Sequence, residues 1–212
     1  FPTRRSSDLA FKPLVDRIAD TDIRLQWFCC DRSTGVTDAS GKRVTLIRDT
    51  KYPVSVEYQT VKFIGTGRDN IKAGVFSGWE LGDYIYLRSE EAYMIKMEAL
   101  AHKGSADAIT ELNSFMKTRQ PDYNYTFTNK ADLIEEIIYQ KRVEFWGEGL
   151  EYIDNRRLNI PVDRTDETWG AENNNHFSAG KFRYNQEERP FLYQLPLSEI
   201  ENNSQLSPTD QN

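Results

Sequence analysis

Apolar residues between positions 87 and 145 recur every three to four residues, which is the spacing of amphipathic helices. The pattern predicts four helices: Leu87–Lys103, Ser105–Arg119, Asn129–Phe145 and a short one that begins at Leu150. Gly104 is expected to end the first helix, because glycine adopts the left-handed conformation of a helix C-terminus without strain. Pro121 cannot continue the second helix, since proline lacks a backbone N–H. Asn129 or Thr128 is suited to cap the third.

The first two predicted helices are separated by a single glycine and would form a helical hairpin similar to one tetratricopeptide unit. Ala92 and Ala99 on the first helix, and Ala108 on the second, are small enough to permit close packing. A solenoid needs about three such units. We therefore expect this lone hairpin to leave an apolar face exposed.

Outside the helical segment the pattern predicts strands and loops. β-branched runs broken by glycine and aspartate indicate a strand- and loop-rich region over residues 10–83. The stretch Pro161–Arg189 is rich in Asn, Glu and Gly and predicts a long surface loop, which a closing tail follows. The expected organisation is therefore mainly α, with helices over residues 84–160 and loops over residues 161–212.

The composition excludes several classes of protein. The chain has 212 residues, a net charge of −6 and 12% aromatic residues. The negative charge argues against a nucleic-acid partner, because a phosphate backbone requires a basic face. The aromatic content argues against disorder. No apolar run approaches the roughly 20 residues of a membrane-spanning helix.

The two cysteines, Cys29 and Cys30, are adjacent in the sequence. Adjacent cysteines form a disulfide only with a strained peptide, and a zinc site would need spaced pairs. We interpret them as small hydrophobic residues buried on a strand.

The first nine residues, Phe1–Leu9, match the translation of a sequencing adapter and are set aside from the fold. Under this interpretation the biological sequence begins near Ala10 and is the C-terminal portion of a longer protein. The alternative is a genuine basic N-terminal arm.

The stretch from Lys130 to Arg164 carries charged, aromatic and glycine residues in a distinctive order: Arg142, Glu144, Trp146, Glu148, Gly149, Asp154 and Arg157. This order resembles the C-terminal signature of the SusD/RagB family. The segments Tyr58–Phe63, Gly82–Gly104 and Pro190–Asn212 are similar to further family segments, and they stand in the family's order.

This resemblance implies a mostly helical, SusD-like fold that binds a nutrient without catalysis and without a cofactor. Members of the family are lipoproteins of the outer-membrane surface. They deliver an oligosaccharide, or less often a peptide, to a TonB-dependent transporter of the SusC type. The same ligand, partner and location are implied for this protein, with the signal peptide and lipid anchor outside the printed chain. The signature residues are implied to be scaffold.

Glu144 and Glu148 stand four residues apart, a spacing that would also suit the two carboxylates of a glycosidase. The same spacing serves ordinary ion pairing, and Arg142, Arg156 and Arg157 lie close enough in sequence to neutralise both. We therefore favour a structural salt-bridge cluster over a catalytic pair.

No other catalytic or metal site is indicated. The only histidines, His102 and His176, lack companion ligands at metal-binding spacing. A nucleophile elbow, a phosphate-binding loop and a dinucleotide fingerprint are all absent from the sequence.

A sugar site needs an exposed aromatic ring beside planar polar side chains, since sugars present both an apolar ring face and hydroxyl groups. Three tryptophans have such neighbours: Trp27 beside Arg24, Trp79, and Trp169 near Asn174. These are the candidate ligand-binding residues. Two rival functions stay open, a helical-repeat adaptor for a protein partner and an accessory domain of a glycoside hydrolase.

Overall fold

The computed structural model describes residues 10–29, 59–60, 62, 86–188, 195–207 and 209. The chain divides into two compact units, Phe1–Glu148 and Gly149–Asn212. Most of the strand- and loop-rich region predicted over residues 10–83 lies outside the described residues, as do Cys30 and the candidate Trp79.

The first unit is dominated by three helices of 11 to 15 residues. Its described elements are, in chain order, α1 (Lys12–Asp16), a 3-10 turn (Ile23–Trp27), β1 (Phe28–Cys29), β2 (Gln59–Thr60), α2 (Ser89–Lys103), α3 (Asp107–Lys117) and α4 (Lys130–Glu144). Strands β1 and β2 pair antiparallel, with Phe28 opposite Thr60. The prediction of a mainly α fold is confirmed.

The second unit contains shorter elements. They are α5 (Leu150–Arg157), β3 (Val162–Asp163), α6 (Asp166–Trp169), a 3-10 turn (Ser178–Gly180), β4 (Arg183–Tyr184) and α7 (Leu197–Asn202). Strands β3 and β4 pair antiparallel, with Val162 opposite Tyr184. The stretch predicted as one long surface loop therefore holds a strand pair and a helical turn. Its Asn-rich composition hid them because each element is only two to four residues long.

The helix ends follow the local sequence closely. Gly104 adopts a left-handed conformation with φ of 72° and ends α2, while the N–H of Ser105 donates to the carbonyl of Leu100. The Ser105 hydroxyl accepts the N–H of Asp107 at the start of α3. Asn129 caps α4, since its side-chain oxygen accepts the N–H of Asp132 at 3.0 Å.

Helix α2 packs against both α3 and α4. The packed surfaces contribute these buried residues: Met94, Met97 and Ala101 from α2, Ala108, Leu112 and Met116 from α3, and Leu133 and Ile137 from α4. Ala108 is buried as expected, but the prediction that Ala92 and Ala99 pack was wrong, because both are exposed. Met94 and Met97 of α2 and Met116 of α3 are fully buried instead.

The exposed apolar face expected for the hairpin is present on α2. Tyr93 is 52% exposed and Ile95 is 53% exposed, and Ala92 and Ala99 are exposed on the same helix. Among the described residues no further helical repeat lies beside this hairpin to cover the exposed side.

A second apolar cluster joins the N-terminal segment to α4. Val15, Leu25 and Phe28 are fully buried there against Val143. Trp146 meets the Phe28 ring edge-on, with 5.8 Å between ring centroids. These contacts hold the N-terminal segment against the C-terminal turn of α4.

Replacing Gly104 by alanine should lower the free energy of unfolding by about 1 kcal/mol, because a Cβ disfavours the left-handed backbone. A Cβ at this position would meet nothing within 4 Å, so the cost would come from the backbone alone. The measurement is urea unfolding followed by circular dichroism. Gly104→Asn is the matched variant and should cost less than alanine, since asparagine tolerates this conformation. Equal stability of the alanine variant and the wild type would contradict the argument.

Candidate functional site

A buried carboxylate, Glu144, lies in the last turn of α4 and contacts three arginines. Its Oε2 accepts from Arg24 Nη1 at 3.4 Å, and its Oε1 accepts from Arg88 Nη1 at 2.9 Å and Arg119 Nη2 at 3.0 Å. Arg24 comes from the N-terminal segment, Arg88 precedes α2 and Arg119 follows α3. We call Glu144, these arginines and the groups paired with them the Glu144 cluster.

Arg24 is 1% exposed, which makes it one of the largest fully buried side chains among the described residues. Its guanidinium binds the Asp22 carboxylate at 2.6 Å and the Gln140 side-chain oxygen at 2.5 Å. Burial opposes the charged form, but the Asp22 hydrogen bonds and the Glu144 charge outweigh it and raise the pKa of Arg24 above its ordinary value. Arg24 is therefore a permanent buried cation.

Glu148 is paired in the same way, on the turn that follows α4. Its Oε1 accepts from Lys62 Nζ at 2.6 Å and from Arg88 Nη2 at 2.9 Å. The Lys62 ammonium also donates to the carbonyls of Glu144 and Trp146, at 2.6 Å and 3.1 Å. A cation at these carbonyls is favourable, because the C-terminal end of a helix carries partial negative charge.

The charge balance explains why Glu144 is ionised. Burial alone would raise its pKa, but the Arg119 hydrogen bonds and the charge of Arg24 hold the pKa of Glu144 below its ordinary value. A carboxylate with a depressed pKa is a poor general acid. Glu144 is also only 1% exposed, so a substrate cannot reach it in this conformation.

The predicted salt-bridge cluster exists, but its cations were misassigned. Proximity in sequence pointed to Arg142, Arg156 and Arg157 as the partners of the two glutamates. The cations that contact the glutamates come instead from distant positions: Arg24, Lys62, Arg88 and Arg119. The fold brings together charges that the linear order keeps apart.

A cleft of about 370 Å³ lies in the first unit between residues 17–22, the 120–125 linker and α4. Its lining includes three tyrosines and three carboxylates: Tyr123, Tyr125, Tyr139, Asp22, Asp122 and Glu136. We call it the tyrosine cleft. Its volume lies within the roughly 300–1,000 Å³ of small-molecule sites.

The linker that carries two of the tyrosines is held at both ends. Asn113 of α3 accepts the Tyr125 N–H at 2.7 Å and donates to the Tyr125 carbonyl at 3.1 Å. The Tyr125 hydroxyl donates to the carbonyl of Asp132 at 3.2 Å. On the other side, the Thr21 hydroxyl donates to Asp122 at 2.7 Å. The linker is therefore fixed in place before any ligand arrives.

Glu136 lies in the wall of the cleft and accepts three hydrogen bonds. Arg17 donates to its Oε2 at 2.5 Å, and its Oε1 accepts from the Tyr123 hydroxyl at 2.9 Å and from Gln140 at 2.7 Å. Burial raises the pKa of Tyr123, and the Glu136 charge raises it further, so the phenol stays protonated and donates. Gln140 also contacts Arg24, which connects the cleft to the Glu144 cluster.

The ligand-binding candidates in the first unit fall in different surroundings. Arg24 is buried among protein partners, a location that suits structure and not contact with a ligand. Trp27 is half-buried beside the apolar cluster, with Lys62 Nζ 4.7 Å from its ring centroid. Trp79 lies outside the described residues.

The two candidates in the second unit differ in their exposure to solvent. Trp169 is 37% exposed, and its ring N–H donates to the Asp163 carbonyl at 2.9 Å. Asn174 is 7% exposed and donates to the Arg164 carbonyl and to Asp166, at 2.9 Å and 2.8 Å. Asn174 therefore holds the loop together, whereas Trp169 keeps a partly open ring.

The remaining residues of the family signature lie in surroundings that suit a structural role. Gly149 has φ of 85° and precedes α5, a conformation that favours glycine. Within α5, Arg157 binds Asp154 at 2.7 Å. Arg142 and Trp146 are half-buried on or just after α4.

Sequence reasoning missed the tyrosine cleft. The run Tyr123-Asn124-Tyr125 stands in the linker between two helices and combines aromatic rings with an amide. That composition was a usable signal, because rings on a linker have no helical stripe to join. Arg17 and Glu136 gave no such signal in the sequence, because they are 119 positions apart.

Comparison with known proteins identifies the family. The SusD family model matches residues 16–212. The chain belongs to the SusD family. The matched range includes the residues of the Glu144 cluster and of the tyrosine cleft. A comparison with curated proteins gave no significant match.

A solved SusD-like protein shares the fold. The crystal structure of a SusD-like carbohydrate binding protein from Bacteroides vulgatus ATCC 8482 is similar, with a TM-score of 0.56 and 22% sequence identity. The similarity covers 91% of this chain and 40% of that chain. The chain thus spans well under half the length of this SusD-like relative.

The described residues offer neither a membrane-spanning helix nor a metal-binding cluster. Among the described helices, none is both long and apolar enough to cross a membrane. No group of three or more His, Cys, Asp or Glu side chains among the described residues could hold a metal ion.

Replacing Glu144 by glutamine should lower the free energy of unfolding by about 3–5 kcal/mol, because it removes the buried carboxylate that Arg24, Arg88 and Arg119 share and leaves the cluster with one excess positive charge. Urea unfolding measures the loss. Glu135→Gln is the matched control on the same helix, since the Glu135 side chain is 78% exposed and 4.0 Å from Arg17. Similar small losses for both variants would show that the Glu144 cluster contributes little.

The depressed pKa of Glu144 also predicts acid lability. A lowered folded-state pKa gives stability that is present above the unfolded value of about 4.3 and is lost as pH falls through the folded value. The wild type should therefore lose stability as pH decreases below about 4.3, and Glu144→Gln should lose less. Unfolding curves collected across this pH interval measure the difference. Parallel profiles for the two proteins would refute the assignment of this pH dependence to Glu144.

Proposed function

We propose that the protein captures an oligosaccharide at the bacterial cell surface without cleaving it. The observation that carries the proposal is the match to the SusD family model over residues 16–212. The solved relative described above is named a carbohydrate binding protein. A peptide is the less favoured ligand.

The site geometry supports binding without catalysis. A glycosidase places two carboxyl groups on either side of a bond in an open cleft, and one of them must donate a proton. Glu144 and Glu148 are instead each held by two or more cations, and Glu144 is buried. The two glutamates serve as scaffold in this proposal, and the protein is not an enzyme.

Delivery to a transporter completes the proposed role. Family membership supports an outer-membrane location, a lipid anchor and a TonB-dependent partner of the SusC type. In this role the protein holds the sugar beside the transporter and releases it into the transporter. Capture therefore has to be reversible, and the absence of hydrolysis keeps the oligosaccharide intact for import.

An adaptor for a protein partner is the second candidate. Tyr93 and Ile95 favour it, since both are more than half exposed on α2. Exposed apolar groups of this kind are common at protein interfaces.

Affinity electrophoresis through gels that contain single neutral polysaccharides tests the proposal. We expect at least one polysaccharide to retard the protein, relative to a gel without polysaccharide. A parallel reducing-end assay should detect no product during prolonged incubation. Release of reducing ends would overturn the non-catalytic role. Unchanged mobility in every gel would instead favour the protein adaptor.

A further inference from the structure

We propose that the tyrosine cleft binds a short segment of a neutral oligosaccharide. This inference rests on the proposed function and locates its binding site in the tyrosine cleft. The cleft is distinct from the three tryptophans that the sequence singled out. It combines a partly open aromatic ring, hydrogen-bonding groups on the adjacent linker and an excess of negative charge.

The stacking surface is a pair of tyrosines. The rings of Tyr123 and Tyr125 are nearly parallel, with an angle of 18° between their planes and 6.4 Å between centroids. Tyr123 is 8% exposed, whereas Tyr125 is half-buried at the cleft. The C–H face of a sugar ring is apolar and is buried favourably against an aromatic ring. Tyr125 supplies that ring, and Tyr123 supports it.

The ring of Tyr125 is already ordered. Two hydrogen bonds with Asn113, one donated and one accepted by the Tyr125 backbone, fix that backbone, and the Tyr125 hydroxyl donates to the Asp132 carbonyl. Ordering a mobile side chain on binding costs affinity, and a fixed one avoids that cost. This matters for sugars, because each hydroxyl exchanges hydrogen bonds with water for bonds with protein and gains little net free energy.

Polar groups stand on the same linker as the stacking ring. Asp122 and Asn124 are exposed, and Gln120 is half-buried. A carboxylate accepts hydrogen bonds from sugar hydroxyls, and an amide both donates and accepts. The Thr21 hydrogen bond lowers the pKa of Asp122, so its carboxylate is ionised at neutral pH.

The charge of the cleft selects against acidic sugars. Its lining carries the carboxylates of Asp22, Asp122 and Glu136 against the single guanidinium of Arg17. That guanidinium is bound to Glu136 at 2.5 Å and lies 3.9 Å from the Tyr139 ring centroid. A uronate would therefore meet net negative charge, because this guanidinium and the adjacent Arg24 guanidinium are already paired with Glu136 and Asp22. A neutral sugar meets only hydrogen-bonding groups.

Isothermal titration of the full chain tests the assignment. The probes are cellohexaose, xylohexaose, mannohexaose and maltohexaose, with hexagalacturonate as the acidic comparison. For the neutral probe that binds, we expect Tyr125→Ala to weaken affinity about tenfold, the value of one stacking contact. Asn124→Ala should weaken it less. Hexagalacturonate should bind more weakly than the neutral probe.

Two matched variants separate contact from folding. Tyr125→Phe keeps the ring and should bind like the wild type, although it loses the bond to the Asp132 carbonyl. Tyr93→Ala removes an equally large side chain, which is 52% exposed on α2 and outside the cleft, and should not change affinity. Urea unfolding of each variant shows that it is folded at the titration temperature.

The outcomes distinguish this inference from the proposed function. Loss of affinity in Tyr125→Ala with retention in Tyr125→Phe and Tyr93→Ala supports the cleft. Wild-type affinity in both Tyr125→Ala and Asn124→Ala overturns the cleft and leaves oligosaccharide capture standing, with the site elsewhere. Failure of the wild type to bind any neutral probe overturns both.

Discussion

Neutralisation of buried charge at the C-terminal turn of α4 is the constraint on which the first unit depends. Arg24 cannot lose its proton and cannot reach water, so it needs a fixed anion. Asp22 and Glu144 together meet that need, and Glu144 contacts Arg88 and Arg119 as well. Each arginine comes from a different chain segment, so one carboxylate links three segments. An unpaired charge would cost several kcal/mol, which makes any other arrangement of these segments unfavourable.

The same helix serves both the scaffold and the proposed binding surface. Gln140 is central, because its side chain accepts from Arg24 and donates to Glu136 in the wall of the tyrosine cleft. Movement of α4 would disturb both sites together. A cleft supported in this way is rigid, and rigidity favours ligands that gain little from each individual hydrogen bond.

The Glu144 cluster also shows why two nearby glutamates need not be catalytic. Reactivity requires access and a pKa near the working pH, and Glu144 has neither. The glutamates use their charge to hold the fold, and the proposed recognition falls to other groups, on the linker. This division is compatible with a protein that holds an oligosaccharide and releases it unchanged.

The sequence alone determined the local features, because their causes lie within a few residues. Gly104 ends α2 by its own conformation, and Asn129 caps α4 three positions from its partner. The family signature could also be recognised from the order of its residues along the chain. Only the tertiary structure decided which charges meet, since Glu144 lies 120 positions from Arg24 and 56 from Arg88. It likewise placed Tyr125 beside residues 17–22, because a cleft between distant segments has no period or spacing in the chain.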